Sequence, residues 1–251
     1  MVQIILHIIH AVQKTALDFN LYKNNFMSLF PKHNANMVAC TVLVDCSYSM
    51  ISEVSSGFSR SEALGVGLEI LESEMKADPM VCNSVEVQTI SIGGVSPHKA
   101  TILQDWVYAG EFTPPELTAN GSTPLGEALL LALDQVNLKK ELYREEGRSY
   151  LRPWIIILSD GSPNDEDAVW NKAVIAAKNA ITNKEALILS VGIDDCPLEK
   201  LNEISTYPAQ HLSAHKFSEF FVWLSASMSA TSQSSDSSIE QLASTDPWRV
   251  S

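Results

Sequence analysis

The stretch Val42-Leu43-Val44-Asp45-Cys46-Ser47-Tyr48-Ser49-Met50 decides the fold of this chain. It ends an apolar run, Val38 to Val44, whose β-branched residues predict a short buried strand. An aspartate and two serines at alternate positions follow the run at once. Side chains spaced by two are expected to project from one turn towards a common point beyond the carboxyl end of the strand. Open α/β sheets bind their ligands at that edge.

Asp45, Ser47 and Ser49 have two interpretations. One carboxylate with several neutral oxygens suits a hard divalent cation such as Mg2+, which prefers oxygen ligands in octahedral geometry. Short Asp/Ser patterns also occur in turns, where the side chains bond the local backbone or cap a helix. The stretch by itself does not decide between the two interpretations.

Composition restricts the class of protein. The 251 residues are 45% hydrophobic and 19% charged, which is typical of a soluble globular domain with a substantial core. The net charge of −13 argues against a nucleic-acid partner and favours a cation or a basic protein surface. The cysteines are scattered, which predicts reduced thiols in a cytoplasmic protein. No apolar segment is long enough to span a bilayer, so we expect no membrane association.

The chain is expected to have three parts. Residues 1–36 carry isoleucines at helical spacing followed by turn residues, which predicts an N-terminal appendage or a true start at Met27 or Met37. Residues 37–228 are expected to form the folded domain. Residues 229–251 are rich in serine and poor in large apolar residues, and this composition predicts a disordered tail.

Strands alternate with helices along the folded domain. The apolar runs Val38–Val44 and Trp154–Ser159 are typical of strands buried on both faces of a parallel sheet. Residues 84–92 and Lys99–Tyr108 are too close in sequence for a crossover helix, which predicts an antiparallel hairpin. We therefore expect an α/β fold: a doubly wound, mostly parallel sheet with helices on both faces and one antiparallel edge strand.

Two later motifs are expected to reach the same edge as Asp45. Asp160 ends the second apolar strand, and Thr123 precedes a predicted helix in a Gly-containing loop. Neighbouring strands at the order reversal of a doubly wound sheet meet at one crevice, so Asp45 and Asp160 would face the same point. Thr123 before Pro124 is also a good helix cap. Asp165 is expected to cap the helix that follows Asp160.

Together the motifs resemble the metal-ion-dependent adhesion site of von Willebrand factor A (vWA) domains. The matching pieces are Asp45-x-Ser47-x-Ser49, Thr123 in Gly-Ser-Thr-Pro, and Asp160-Gly161 after an apolar strand. The resemblance covers about Val38 to Leu224. The chain also looks like bacterial TerY-type proteins of tellurium-resistance clusters, which have a stretch similar to Leu117–Ala128.

The resemblance implies a Rossmann-like sheet of six strands in the order 3-2-1-4-5-6. It also implies a set of ligands for Mg2+ or Mn2+: the hydroxyls of Ser47, Ser49 and Thr123 and, directly or through water, the carboxylates of Asp45 and Asp160. The family motif usually has glycine where this chain has Tyr48, so the tyrosine side chain must project away from the ion.

The implied function is a metal-ion-dependent protein-binding module, not an enzyme. A carboxylate of the partner protein would fill an open position on the ion, which reverses the local charge of an acidic protein. The family context implies a cytoplasmic place in a bacterial stress-response or phospho-signalling assembly related to tellurite resistance. A kinase and a phosphatase would be its partners.

Two alternatives remain open at the level of the sequence. Two aspartates and a divalent ion would also serve a metal-dependent phosphohydrolase. An RNA-binding vWA protein is the other alternative, and its basic cluster would be Lys139, Lys140, Arg144, Arg148 and Arg152. Glutamates interrupt this cluster, which favours a salt-bridged helix face over a phosphate-binding surface.

Overall fold

The central sheet consists of six strands. The structure is a computed structural model that describes residues 36–53 and 57–233. Its strands are β1 (Val38–Cys46), β2 (Val85–Gly93), β3 (Ala100–Tyr108), β4 (Trp154–Ser159), β5 (Leu187–Ile193) and β6 (Gln210–Leu212). Every residue of β1, β2 and β4 is buried, as expected for strands with helices on both sides.

The strand order is β3-β2-β1-β4-β5-β6. β2 and β3 pair antiparallel, and the other neighbours among the described strands pair parallel. This order confirms the predicted doubly wound α/β fold with its antiparallel edge strand. β1 lies between β2 and β4, with Val44 opposite Leu158, so the loops that follow β1 and β4 leave the same edge side by side.

Two helical layers cover the sheet. The helices are α1 (Arg60–Ala77), α2 (Pro79–Ser84), α3 (Leu125–Glu145), α4 (Asp167–Thr182), α5 (Glu199–Ile204) and α6 (Phe217–Ser232). α1, α2 and α6 pack on one face, and α3, α4 and α5 pack on the other. In α1 the buried side chains Leu64, Leu68 and Leu71 recur at steps of four and three, which places them on one helical face.

The start of α1 and the unpredicted helix α2 both follow from capping chemistry. Ser59 and Glu62 form a reciprocal capping box at the start of α1. Asp78 follows the last residue of α1. Its carboxylate also accepts hydrogen bonds from the backbone of the next turn, and Pro79 occupies the first helical position. The pair Asp78-Pro79 is therefore both a stop signal and a start signal.

The predictions for the two ends of the chain lie almost entirely outside the described residues. The appendage predicted for residues 1–36 lies outside them except for Asn36. α6 continues to Ser232, four residues past the predicted domain boundary at 228, and Thr231 and Ser232 are buried. In the described part of the chain, no helix has the length and apolar character needed to cross a membrane.

Candidate metal centre

Asp45 connects the carboxyl ends of the two central strands. Its side chain is completely buried at the end of β1. The backbone N–H of Ser47 donates to Asp45 Oδ1 at 2.8 Å, and the hydroxyl of Ser159, the last residue of β4, donates to Oδ2 at 2.5 Å. Both carboxylate oxygens are therefore held, and the carboxylate cannot rotate without losing a hydrogen bond.

The two serines of the same loop link Asp45 to Asp160. The hydroxyl oxygens of Ser47 and Ser49 lie 2.9 Å apart, and the Ser49 hydroxyl donates to Asp160 Oδ1 at 2.6 Å. Ser47 is also bound to Asp45 through its backbone N–H, so polar contacts connect the two aspartates by way of both serines. Ser49 is exposed whereas Ser47 is buried, so the group opens to solvent on the side of Ser49.

Thr123 reaches this group from the loop before α3. Its backbone N–H donates to Asn164 Oδ1 at 3.0 Å, and the backbone N–H of Asn164 donates back to the Thr123 carbonyl at 3.0 Å. A Cβ atom on Gly161 would lie 3.5 Å from Thr123 Oγ1, so the threonine hydroxyl lies beside the residue that follows Asp160. The structure thus brings all five predicted site residues to one edge of the sheet.

Asp165 caps α3, not the helix that follows it in sequence, and this corrects the prediction. Its carboxylate accepts the backbone N–H groups of Gly126 at 2.8 Å and Glu127 at 3.0 Å. The N-cap position of α3 is Pro124, which offers no side-chain hydrogen bond. The capping interpretation of Thr123 is therefore wrong, and its hydroxyl is left for another role.

Gly121 fixes the Thr123 loop against the Asp45 loop. Its carbonyl accepts the backbone N–H of Tyr48 at 3.0 Å, and its backbone has a φ of +80°. A Cβ atom there would lie 1.8 Å from the Pro97 carbonyl oxygen, so only glycine fits. Tyr48 is 69% exposed, so a large residue at this point of the motif projects into solvent.

Arg60, Ser159 and Asp194 belong to the site and were missed in the sequence. Arg60 Nη1 donates to Asp160 Oδ2 at 2.9 Å, and Arg60 Nε donates to Asp194 Oδ2 at 2.8 Å. Ser159 had a signal, because it ends the strand that was expected to lie beside β1. No sequence pattern pointed to Arg60, because 100 positions separate it from Asp160.

Burial dominates the electrostatics of the site. The pKa of Asp45 is raised to about 6: burial is the largest cause, hydrogen bonds from Ser159 and Ser47 oppose the shift, and the charge of Asp160 adds to it. Burial likewise raises the pKa of Cys196 to about 12, helped by Asp160 and Asp45. The thiol beside the site is therefore protonated at neutral pH and is a poor metal ligand.

The side chains that meet here fit a hard divalent cation. They offer two carboxylates and three hydroxyls, all of them oxygen donors of the kind that Mg2+ and Mn2+ accept. Within residues 36–53 and 57–233, no three His, Cys, Asp or Glu side chains form a metal-binding group. A site of this kind therefore depends on its neutral hydroxyls as well as on Asp45 and Asp160.

The side chains of the basic cluster contact other residues of the domain instead of forming a charged surface. Lys139 donates to the buried Glu86 at 2.6 Å and lies over the Trp106 ring. Arg148 donates to the Tyr108 hydroxyl at 2.8 Å. The expected salt bridges along one helix face are thus largely replaced by contacts to the neighbouring strands β2 and β3. These contacts leave little of the cluster for an RNA backbone.

Comparison with known proteins identifies the fold. No family model and no curated protein sequence matches the chain. The pilus adhesin SpaC from Lactobacillus rhamnosus GG matches 78% of this chain at 15% identity and a TM-score of 0.59. The vWF domain of the type V pili tip protein Mfa5 from Porphyromonas gingivalis matches 80% at 12% identity and 0.56. A von Willebrand factor type A protein from Catenulispora acidiphila matches 77% at 16% identity and 0.52.

At these identities the likeness shows the fold alone, and the fold is that of vWA domains. The chain spans 98% of the Mfa5 domain but only 31% of the SpaC chain and 43% of the Catenulispora chain. It is therefore similar to one domain of these longer proteins.

Proposed function

We propose that this vWA-like domain is a metal-ion-dependent protein-binding module. Mg2+ or Mn2+ would be held by Asp45, Ser47, Ser49, Thr123 and Asp160, and an acidic side chain of a partner protein would complete the coordination. The observation that supports this proposal is the set of contacts that runs from Asp45 through Ser47 and Ser49 to Asp160, with Thr123 beside it.

The ligand chemistry explains why a partner is needed. Mg2+ demands six oxygen ligands and is rarely enclosed by protein groups alone. The opening beside the exposed Ser49 leaves space for a ligand from outside the chain. A bound divalent ion would neutralise this acidic edge and present a local positive centre, so a partner carboxylate would be attracted to the ion although the net charge of the protein is −13.

Binding is favoured over phosphate hydrolysis by the state of Asp45. Both of its oxygens already accept hydrogen bonds from the chain, which hold it in place as a ligand and leave less room beside it for a reacting water. A phosphate-release assay with Mg2+ and Mn2+ separates the two functions. Phosphate release that is lost on replacement of Asp45 would favour the hydrolase.

The setting of the module is a further part of the proposal. A pilus adhesin and a pilus tip protein are among the structures with this fold, and an adhesin acts by binding. The TerY-like motifs favour a bacterial stress-response or phospho-signalling assembly related to tellurite resistance. In that setting the domain is cytoplasmic, and a kinase and a phosphatase are its candidate partners.

Calorimetric titration of Mg2+ into matched variants tests the proposed ligands. Asp45→Ala and Asp160→Ala each remove a charge that offsets the ion, so we expect binding at least about tenfold weaker than in the parent. Thr123→Ala removes a neutral oxygen and is expected to weaken binding less. Asp134→Ala removes the same charge from an exposed position on α3 and is expected to bind like the parent.

Thermal melts in metal-free buffer complete this test. The apo fold is expected to survive each change, because the core consists of apolar strands and helices and not of these loops. Unaltered Mg2+ binding in Asp45→Ala, Asp160→Ala and Thr123→Ala would show that these residues are structural, and it would overturn the proposal.

A further inference from the structure

Arg60 places a positive charge directly on one of the two site carboxylates. Its guanidinium bridges Asp160 and Asp194 with contacts of 2.9 and 2.8 Å. The Asp160 side chain is fully buried, whereas the Arg60 side chain is 23% exposed. Asp194 is itself held in place, because its Oδ1 accepts the backbone N–H of Ala214 at 2.9 Å. The three charged groups thus form a fixed row beside Ser49.

The position of Arg60 is not explained by helix formation. It is the first residue of α1, where the backbone carries a partial positive charge. An arginine there is electrostatically unfavourable, whereas the acidic Glu62 in the same turn is favourable. The two carboxylates that Arg60 contacts account for a cation at this helix end. Its role therefore concerns the site and not the helix.

We propose that Arg60 sets the charge of the metal site, holding Asp160 in the metal-free protein and keeping the ion-loaded site neutral. This inference rests on the function proposed above. Asp45, Asp160 and Asp194 carry three negative charges, and Arg60 carries one positive charge. A divalent ion brings this group to neutrality. Without Arg60 the loaded group would keep a net negative charge and would repel an acidic partner.

The positive charge of Arg60 also lowers the affinity of the site for a divalent ion. Arg60 already neutralises part of Asp160, so a divalent ion gains less from that carboxylate than it would from a free one. Asp194 draws the guanidinium the other way and offsets part of this effect. The charge of Arg60 therefore weakens ion binding, and the charge of Asp194 strengthens it. A residue that only positioned Asp160 would have the opposite effect, since its loss would weaken ion binding.

Two substitutions that are expected to change Mg2+ affinity in opposite directions test this inference in the full chain. Mg2+ is titrated calorimetrically into the parent, R60Q and D194N. We expect R60Q to bind Mg2+ about tenfold more tightly than the parent, because one positive charge is removed next to a ligand. D194N leaves Arg60 to act on Asp160 alone, and we expect it to bind several-fold more weakly. The gain in R60Q is expected to shrink at high ionic strength.

Two control variants distinguish the local charge of Arg60 from the shape of its side chain and from the net charge of the protein. R60K keeps the positive charge but loses the planar fork, and we expect its affinity to lie nearer the parent than R60Q. K178Q removes a positive charge from an exposed position in the second half of α4 and is expected to bind like the parent. Melts in metal-free buffer report whether each variant folds, and if R60Q does not fold, D194N decides the question.

The outcomes distinguish this inference from the proposed function. Tighter binding in R60Q together with weaker binding in D194N supports it. Equal or weaker binding in R60Q, or unaltered or tighter binding in D194N, overturns it while the metal site stands. Absence of Mg2+ binding in the parent overturns the proposed function and this inference with it.

Discussion

Asp45 shows at the scale of one residue how the candidate site would favour a cation. The carboxylate has no contact with solvent, and its burial disfavours the charged form. Hydrogen bonds from Ser47 and Ser159 hold both oxygens but do not supply a full positive charge. A divalent ion would supply that charge. Metal binding and proton binding at Asp45 therefore compete.

This competition predicts a pH dependence of Mg2+ binding. Because the pKa of Asp45 is raised to about 6, we expect Mg2+ to bind about tenfold more weakly at about pH 5 than at about pH 7. Calorimetric titrations at the two pH values measure the ratio. An affinity that does not change between them would show that Asp45 is ionised throughout or does not contact the ion.

The same pKa shift fixes the sign of a stability effect in metal-free buffer. The unfolded pKa of aspartate is about 3.9, so the folded protein holds this proton more tightly between about pH 4 and about pH 6. Ionised Asp45 then costs stability at higher pH. Asp45→Asn is accordingly expected to gain stability relative to the parent across that window and to keep the gain at about pH 7. Melts of the two proteins at matched pH measure the difference.

At the scale of elements, the site is a set of loops that are fastened to one another. Asn164 holds the Thr123 loop by two hydrogen bonds, one through its side chain and one through its backbone, and Asp165 caps α3 from the loop after β4. Gly121 joins the Thr123 loop to Tyr48 in the Asp45 loop. Displacement of any one loop is therefore expected to displace the hydroxyls and carboxylates of the others.

Gly121→Ala tests this coupling between loops. The added methyl group would overlap the Pro97 carbonyl in a left-handed backbone conformation, and we expect a loss of stability of about 1–3 kcal/mol with weaker Mg2+ binding. Gly147→Ala is the matched control, because Gly147 has a φ of +66° but nothing within 4 Å of a new Cβ. Equal melting temperatures and equal Mg2+ affinities in the two variants would contradict the coupling.

The elements were more predictable from the sequence than the contacts between them. β1 and β4 were readable because buried parallel strands are apolar throughout, and their abrupt ends at Asp45 and Asp160 marked the site edge. The capping role of Asp165 was not readable, because the N–H groups it accepts lie nearly 40 positions earlier. Arg60 likewise meets Asp160 only after the sheet forms. Local sequence patterns predict strands and helices, whereas polar contacts between residues far apart in sequence can be identified only once the fold is known.

At the scale of the whole molecule, the strand order places the candidate site residues at one end of the sheet. The order reversal at β1 brings three separate parts of the chain to that end, while the opposite end contains the Glu86, Lys139 and Tyr143 contacts. A hydrogen bond from Tyr143 to Glu86 at 2.6 Å and the ion pair with Lys139 satisfy the charge there. The edge after β1 and β4 is therefore the end of the domain where the proposed ion and partner would bind.

Paramagnetic Mn2+ tests most directly whether an ion binds at this edge. Mn2+ is added in small amounts to the isotopically labelled protein, and the loss of backbone amide signals is mapped by nuclear magnetic resonance. We predict selective loss at residues 45–49, Thr123 and residues 160–161, with signals near Tyr143 retained, and recovery when excess Mg2+ displaces the Mn2+. Loss centred elsewhere, or no loss at these residues, would contradict the account.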